Sequence, residues 1–146
     1  DLAATVERQL AARLVELVAL ARKAGEAVAG FEKTKEALVS GQAALLLQAA
    51  DGSERERGRL RPPEGENTLV SCLSGHELGL SFARDRVIHA AVLAGGLGDR
   101  IRDEALRLSG IRDCTTRLPS AEGTGAGSAE EGLRGEENGN DGYQGQ

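Results

Sequence analysis

The first 23 residues carry apolar side chains at three- and four-residue intervals. This spacing places them on one face of a helix and predicts an amphipathic helix over roughly residues 2–23. Arg22 and Lys23 fall in its last turn, where cations complement the helix dipole, and Gly25 is placed to end it. The apolar positions of this helix are Leu2, Val6, Leu10, Leu14, Leu17, Val18 and Ala21.

Short apolar runs alternate with helical patterns through the rest of the first 113 residues. Strands are predicted at about 27–29, 43–49, 68–73 and 87–93. Further helices are predicted at about 32–40, 53–60, 74–82 and 97–108. Strands that alternate with helices are typical of a layered protein with helices on both faces of its sheet. The sequence therefore predicts the α/β class, as a three-layer α/β/α sandwich around a small mixed four-stranded sheet.

Two of these helices begin beside residues that favour helix starts. Asp51 or Ser53 can cap the helix predicted at 53–60. Ser74 and Glu77 have the spacing of a capping box at the start of the next helix. These signals support the predicted boundaries of both helices.

Residues 114–146 lack apolar periodicity and are rich in glycine. Six acidic residues against two arginines give this segment a net charge of −4, within a whole-chain charge of −5. A segment of this composition cannot bury enough apolar surface to offset the entropy of ordering. We therefore predict one domain at 1–113 and a disordered, acidic, glycine-rich tail at 114–146.

The predicted domain is close to neutral, since its 17 acidic and 16 basic residues leave a net charge of −1. It lacks the long-range field that drives non-specific binding to nucleic acid, so any such binding depends on a local basic patch. Aromatic residues are scarce, and a surface that stacks single-stranded bases on aromatic rings is not expected. The three aromatic residues are Phe31, Phe82 and Tyr143.

The remaining composition predicts no catalytic or metal chemistry. Cys72 and Cys114 are expected to be the reduced thiols of a cytoplasmic protein rather than a disulfide framework. Cys72 and His76 form a lone C-x3-H pair without the second pair that a tetrahedral zinc site needs. Neither His76 nor His89 has a Ser–Asp arrangement that would suggest a catalytic triad. We predict no metal, no cofactor and no catalytic residue. The sequence contains no apolar run of about 18 residues, so it predicts no membrane span.

A glycine followed by a basic segment forms the first candidate binding element. Gly30 ends a predicted strand, and the segment Lys-Thr-Lys at 33–35 follows it. Turn glycines beside a helix start leave backbone N–H groups free, and these suit a phosphate. The alternative is a turn beside a solvated helix face, because runs of charge usually face water. Arg84 and Arg86, in a predicted turn, carry the same two interpretations.

Two segments carry a resemblance to a known family. Residues 22–38 have the pattern RKAGxxVxGFEKxxEAL, and residues 76–100 have the pattern HELGxxxxRDxVIHAAVLAGGLxDR. With the order of elements, they resemble the ribosomal L-seven-Ae and L-thirty-e superfamily, which implies an α/β/α sandwich that binds kink-turn RNA. They resemble further the C-terminal half of alphaproteobacterial YlxR-type proteins, described as nucleic-acid-binding proteins implicated in transcription termination. The resemblance covers about residues 1–113 without the YlxR domain, so we expect a fragment of a longer protein.

The binding motif of the superfamily is altered in this chain. Kink-turn binders carry G-x-N-E-x-x-K after their first strand, and this chain keeps only the glycine, Gly30. Glu32 stands where the motif has asparagine, Lys33 where it has glutamate, and Glu36 where it has lysine. Lys35, one position away, can supply the phosphate contact of the family's lysine. The resemblance therefore implies RNA binding through altered contacts.

A second RNA-facing element of the family is the loop before the last strand, here residues 84–89, whose two arginines and histidine suit contacts with a backbone. The resemblance implies a domain that binds structured RNA in a translation or transcription-termination context, and we expect it to be non-catalytic, monomeric and cytoplasmic. The alternative is a protein-interaction module that docks a YlxR domain, a ribosomal protein or the transcription machinery. The predicted nucleic-acid-binding residues are Gly30, Phe31, Glu32, Lys33, Thr34, Lys35, Arg84, Arg86, Val87 and His89.

Overall fold

The computed structural model describes residues 1–112, and the predicted tail at 114–146 lies outside the described residues. The helices are α1 (Leu2–Lys23), α2 (Phe31–Val39), α3 (Glu54–Arg57), α4 (Gly75–Ser81) and α5 (Gly96–Ser109). The strands are β1 (Ala27–Ala29), β2 (Ala43–Gln48), β3 (Leu69–Val70) and β4 (His89–Leu93). No helix in this part of the chain has the length and apolar character needed to span a bilayer.

The four strands form one mixed sheet in the order β1-β4-β2-β3. β4 runs antiparallel to both β1 and β2, whereas β3 runs parallel to β2. Ala29 in β1 pairs with Ala90 in β4, so the end of one strand lies beside the beginning of the other. This pairing brings the residues that follow β1 next to the loop that precedes β4.

The helices cover the sheet on both faces. α1, α4 and α5 pack on one face, where Leu14, Leu47 and Ile101 belong to a large aliphatic core. α2 packs on the other face over a smaller core that includes Ala37 and Ala91. The predicted three-layer α/β/α sandwich with a small mixed four-stranded sheet is confirmed.

β3 and β4 are shorter than the sequence pattern predicts, and one backbone group beyond the end of each strand bonds outside the sheet. The Val87 N–H donates to the Gly75 carbonyl of α4 at 3.0 Å, so β4 begins after it. Beyond β3, the Cys72 carbonyl accepts a hydrogen bond from Arg112 Nη1 at 2.8 Å. Neither competing partner is visible in the local apolar pattern.

Ser53 caps α3 and Ser74 caps α4, each through a capping box with the glutamate three residues later. This confirms the box predicted at Ser74 and selects Ser53 over Asp51 as the cap of α3. Gly58 then ends α3 after about one turn, earlier than the predicted 53–60. The residues after Gly58 are therefore available for contacts outside the helix.

Cys72 is buried and disulfide-bonded, so the prediction of reduced thiols is wrong for this residue. Cys114, the other cysteine of the sequence, lies outside the described residues. The prediction of a cytoplasmic location loses the support of reduced thiols.

Candidate nucleic-acid interface

The turn between β1 and α2 is built on Gly30, whose φ of +102° lies in the region that favours glycine. Its N–H donates to the His89 carbonyl at 2.9 Å, and its carbonyl accepts from the Thr34 N–H at 3.0 Å. The N–H groups of residues 31–33 precede the first helical hydrogen bond and have no partner within α2. They lie at the positive end of the helix dipole, a position that suits an anion.

The loop between α4 and β4, here called loop 83–88, lies against two glycines of α4. Gly75 and Gly79 are four residues apart and therefore share one face of the helix. A Cβ atom at Gly79 would lie 2.5 Å from the Arg84 carbonyl oxygen. A Cβ atom at Gly75 would lie 2.9 Å from Arg86 Cγ. The loop approaches α4 this closely because neither position carries a side chain.

The start of α2 and loop 83–88 meet around a pocket of about 260 Å³. Arg59, Arg84 and Arg86 line it together with one acidic residue, Glu56. The other lining residues are Gly30, Phe31, Val87, Ile88 and His89. Three guanidinium groups against one carboxylate give the pocket a positive balance, and guanidinium groups match the geometry of phosphate.

Arg59 forms a stack with Phe31 at the edge of the pocket. The guanidinium carbon lies 3.8 Å from the ring centroid. His89 meets the same ring nearly edge-on, with 5.7 Å between centroids and 66° between planes. The alternating charges at 54–61 predict a solvated helix, so the sequence gives no direct sign that Arg59 belongs to this site. Gly58, which ends α3 just before it, was the available sequence signal.

His89 is almost fully buried beneath this stack. Its Nδ1 lies 3.5 Å from Gln48 Nε2, which also donates to the Arg57 carbonyl at 2.9 Å. Burial and the nearby Arg59 guanidinium lower the pKa of His89 to about 4, and Glu56 opposes this only in part. His89 is therefore neutral at neutral pH and contributes shape rather than positive charge.

We expect the free energy of unfolding to fall as the pH is lowered from 6.5 toward about 4, because the unfolded chain protonates His89 in this window and the folded protein does not. The loss is at most about 3 kcal/mol for such a shift. Urea denaturation across this pH range measures it. His89→Gln should reduce the slope between pH 6.5 and about 5, where the carboxylates whose pKa is lowered contribute least, and His76→Gln, at an exposed position, should preserve it. An unchanged slope in His89→Gln would contradict the assignment.

The remaining predicted residues are divided between surface and interior. Glu32, Lys33 and Lys35 are exposed on the first turns of α2. Thr34 is fully buried, so its side chain is not part of the exposed surface. Val87 is buried in loop 83–88 and forms part of the pocket wall. The structure therefore brings the two predicted segments together, with Thr34 beneath the surface that they form.

The donor groups at this site favour an anion over a metal ion. Within residues 1–112, no three histidine, cysteine, aspartate or glutamate side chains are grouped so that they could hold a metal. The pocket instead offers arginine side chains beside the start of a helix. Such groups bind phosphate or carboxylate oxygens.

The solved structures similar to this fold include two that are 18% identical in sequence. One is a protein of unknown function from Bacillus halodurans, with a TM-score of 0.52; the match covers 63% of this chain and 95% of that one. The other is the Giardia lamblia 15.5kD RNA binding protein, with a TM-score of 0.50; the match covers 70% of this chain and 90% of that one. No family model matches the sequence, and no curated protein matches it. At this level of identity, the comparisons show a common fold.

Proposed function

We propose that the sandwich is a non-catalytic RNA-binding domain that contacts the backbone of structured RNA. The observation that carries the proposal is the meeting of the α2 start and loop 83–88 around one pocket lined by three arginines. Phosphate oxygens are the partners that such guanidinium groups and helix N–H groups bind well. RNA is preferred to other polyanions because the Giardia lamblia protein of the same fold is an RNA binding protein.

The arrangement supports backbone contact more than the recognition of kink-turn guanines. Lys33 replaces the acidic residue of the kink-turn motif, and Glu32 replaces its asparagine; both are exposed. Arg59 covers Phe31, so an unpaired base would meet a guanidinium plane rather than a bare ring. Arginine planes stack on bases without selecting a sequence. The proposed binding therefore depends on phosphate position and RNA shape.

We also infer a role in translation or transcription termination, within a cytoplasmic and monomeric protein. This part of the proposal is supported by the resemblance of residues 22–38 and 76–100 to YlxR-type proteins. Under it, the sandwich acts beside a YlxR domain that contacts nucleic acid as well.

A protein-interaction module is the second candidate function. It is favoured by the acidic residues near the pocket, since Glu32 and Glu36 are exposed on α2 and Glu56 lines the pocket itself. A partner on this surface would be a YlxR domain, a ribosomal protein or a transcription protein. Such docking buries apolar and polar surface without releasing many counterions.

We expect the affinity of the full chain for total cellular RNA to fall roughly 15-fold between about 50 and 200 mM salt, because about three phosphate contacts give a slope near −2 in log K against log salt. Filter retention of labelled RNA measures this slope, and crosslinking locates the contact. Crosslinks are expected at residues 30–35 and in loop 83–88. Weak retention that is insensitive to salt, or crosslinks confined to other parts of the chain, would favour the docking module.

A further inference from the structure

Asp51, in the turn after β2, contacts two parts of the candidate interface at once. Its Oδ1 accepts a hydrogen bond from the Gly75 N–H, the first of α4, at 2.8 Å. Its Oδ2 lies 3.1 Å from Arg86 Nη1. The sequence predicts only a capping role for Asp51, whereas the fold brings it into contact with loop 83–88.

The Arg86 side chain packs directly against the backbone of Gly75. A Cβ atom at position 75 would be 2.9 Å from Arg86 Cγ, 3.0 Å from Nη1 and 3.1 Å from Cζ. The Gly75 carbonyl also accepts the Val87 N–H at 3.0 Å. The Asp51 carboxylate therefore contacts the Arg86 guanidinium, and the backbone of Gly75 packs against the rest of the same side chain.

The hydrogen bond from the Gly75 N–H to Asp51 stabilises the start of α4, but fold stability does not explain the ion pair between Asp51 and Arg86. The Arg86 and Asp51 side chains are 50% and 52% exposed, and an ion pair this exposed contributes little to stability. The hydrogen bond from Gly75 and the Arg86 guanidinium hold the pKa of Asp51 below its ordinary value, so the carboxylate stays charged at neutral pH. A permanent negative charge beside a phosphate-binding pocket opposes binding unless it organises a group that binds.

We propose that Asp51 is a positioning residue of the RNA-binding surface, which together with Gly75 presets the Arg86 guanidinium at the pocket for contact with a phosphate. The inference rests on the proposed function. A preset arginine loses less rotamer freedom when RNA binds, and this advantage corresponds to a roughly two- to tenfold gain in affinity per side chain. Arg84 and Arg59 supply further charge at the same pocket.

Two substitutions test the proposal. One displaces Arg86 without a change of charge, and the other removes the carboxylate that holds it. Gly75→Ala changes no charge but places a methyl group where Arg86 lies. Asp51→Ala removes a negative charge near the RNA. Both should weaken retention of total cellular RNA by roughly two- to tenfold, although charge alone predicts no change for the first and tighter binding for the second.

The matched control is Gly96→Ala. Gly96 is the first residue of α5, as Gly75 is of α4, and a Cβ atom there would meet nothing within 4 Å. The Gly96→Ala variant should bind RNA with the same affinity as the wild type. In an Arg86→Ala background, neither Gly75→Ala nor Asp51→Ala should weaken binding further, because the group that they position is gone; Asp51→Ala should bind slightly more tightly there, since only its charge effect remains.

The outcomes separate this inference from the proposed function. If wild-type protein retains RNA and either Gly75→Ala or Asp51→Ala binds as tightly as wild type or more so, the positioning role is overturned alone. If both substitutions weaken binding in the Arg86→Ala background as much as they do when Arg86 is present, they act through the fold, and the positioning role is also overturned. If wild-type protein shows no salt-sensitive retention, the proposed function fails first.

Discussion

Replacing Arg59 and Arg84 together with glutamate should lower the affinity for total cellular RNA by at least about a hundredfold at low salt. Arg84 Nη1 would lie 3.7 Å from a Cβ atom at Gly30, so it stands beside the exposed start of α2. Within residues 1–112, its side chain has no ion-pair partner, unlike that of Arg86.

The size of this effect follows from the contacts that are lost. Each hydrogen bond to a charged group contributes about 1.5–3 kcal/mol, and two such losses together exceed the roughly 2.7 kcal/mol of a hundredfold change. The new carboxylates also repel phosphate at the pocket. The salt dependence of the residual binding should flatten, because fewer counterions are released.

Arg22→Glu with Arg100→Glu is the matched control for this double variant. Both residues are exposed, and they lie near the opposite ends of β1 and β4 from the pocket. The control changes the net charge by the same amount and should retain most of the affinity. Equal losses in the two double variants would show that net charge, and not this pocket, governs retention.

Gly79→Ala should destabilise the protein by about 1–3 kcal/mol and weaken RNA binding at the same time. The new Cβ would lie 2.5 Å from the Arg84 carbonyl oxygen and 3.0 Å from the Arg86 nitrogen. These are backbone atoms, so loop 83–88 must move away from α4 rather than adjust a side chain. Urea denaturation and RNA retention measure the two effects.

Replacing glycine with alanine inside a helix ordinarily stabilises it by about 0.5–1 kcal/mol. Gly96→Ala, which meets no neighbouring atom, should be neutral or slightly stabilising and should leave RNA binding intact. Stabilisation by Gly79→Ala would mean that loop 83–88 is not held against α4 as described.

The local pattern was sufficient to place the boundaries of the two segments whose residues line the pocket. Gly30 stands between an apolar run and a helical pattern, and the arginines of loop 83–88 stand between a capped helix and the last apolar run. Element boundaries of this kind are marked by periodicity and by turn residues. The resemblance of residues 22–38 and 76–100 to a known family added the expectation that these boundaries meet RNA.

Other contributions to the site have no local signal. Arg59 sits in a run of alternating charges that predicts a solvated helix, and it reaches Phe31 only because α3 ends at Gly58. Asp51 contacts Arg86 across 35 positions of sequence. Thr34 lies within the basic segment but is buried, because the period of α2 turns that position toward the sheet.

The sequence by itself determined the order of helices and strands, the capping box of α4 and the α/β/α class, because each depends on residues that are neighbours along the chain. The tertiary structure decided which arginines share a pocket, that His89 is neutral, and that Asp51 and Gly75 hold Arg86. These properties depend on antiparallel pairing of β1 with β4 and on the close approach of loop 83–88 to α4. Burial and charge at a site are set by contacts between residues that are far apart in sequence, and the periodicity of the sequence does not specify those contacts.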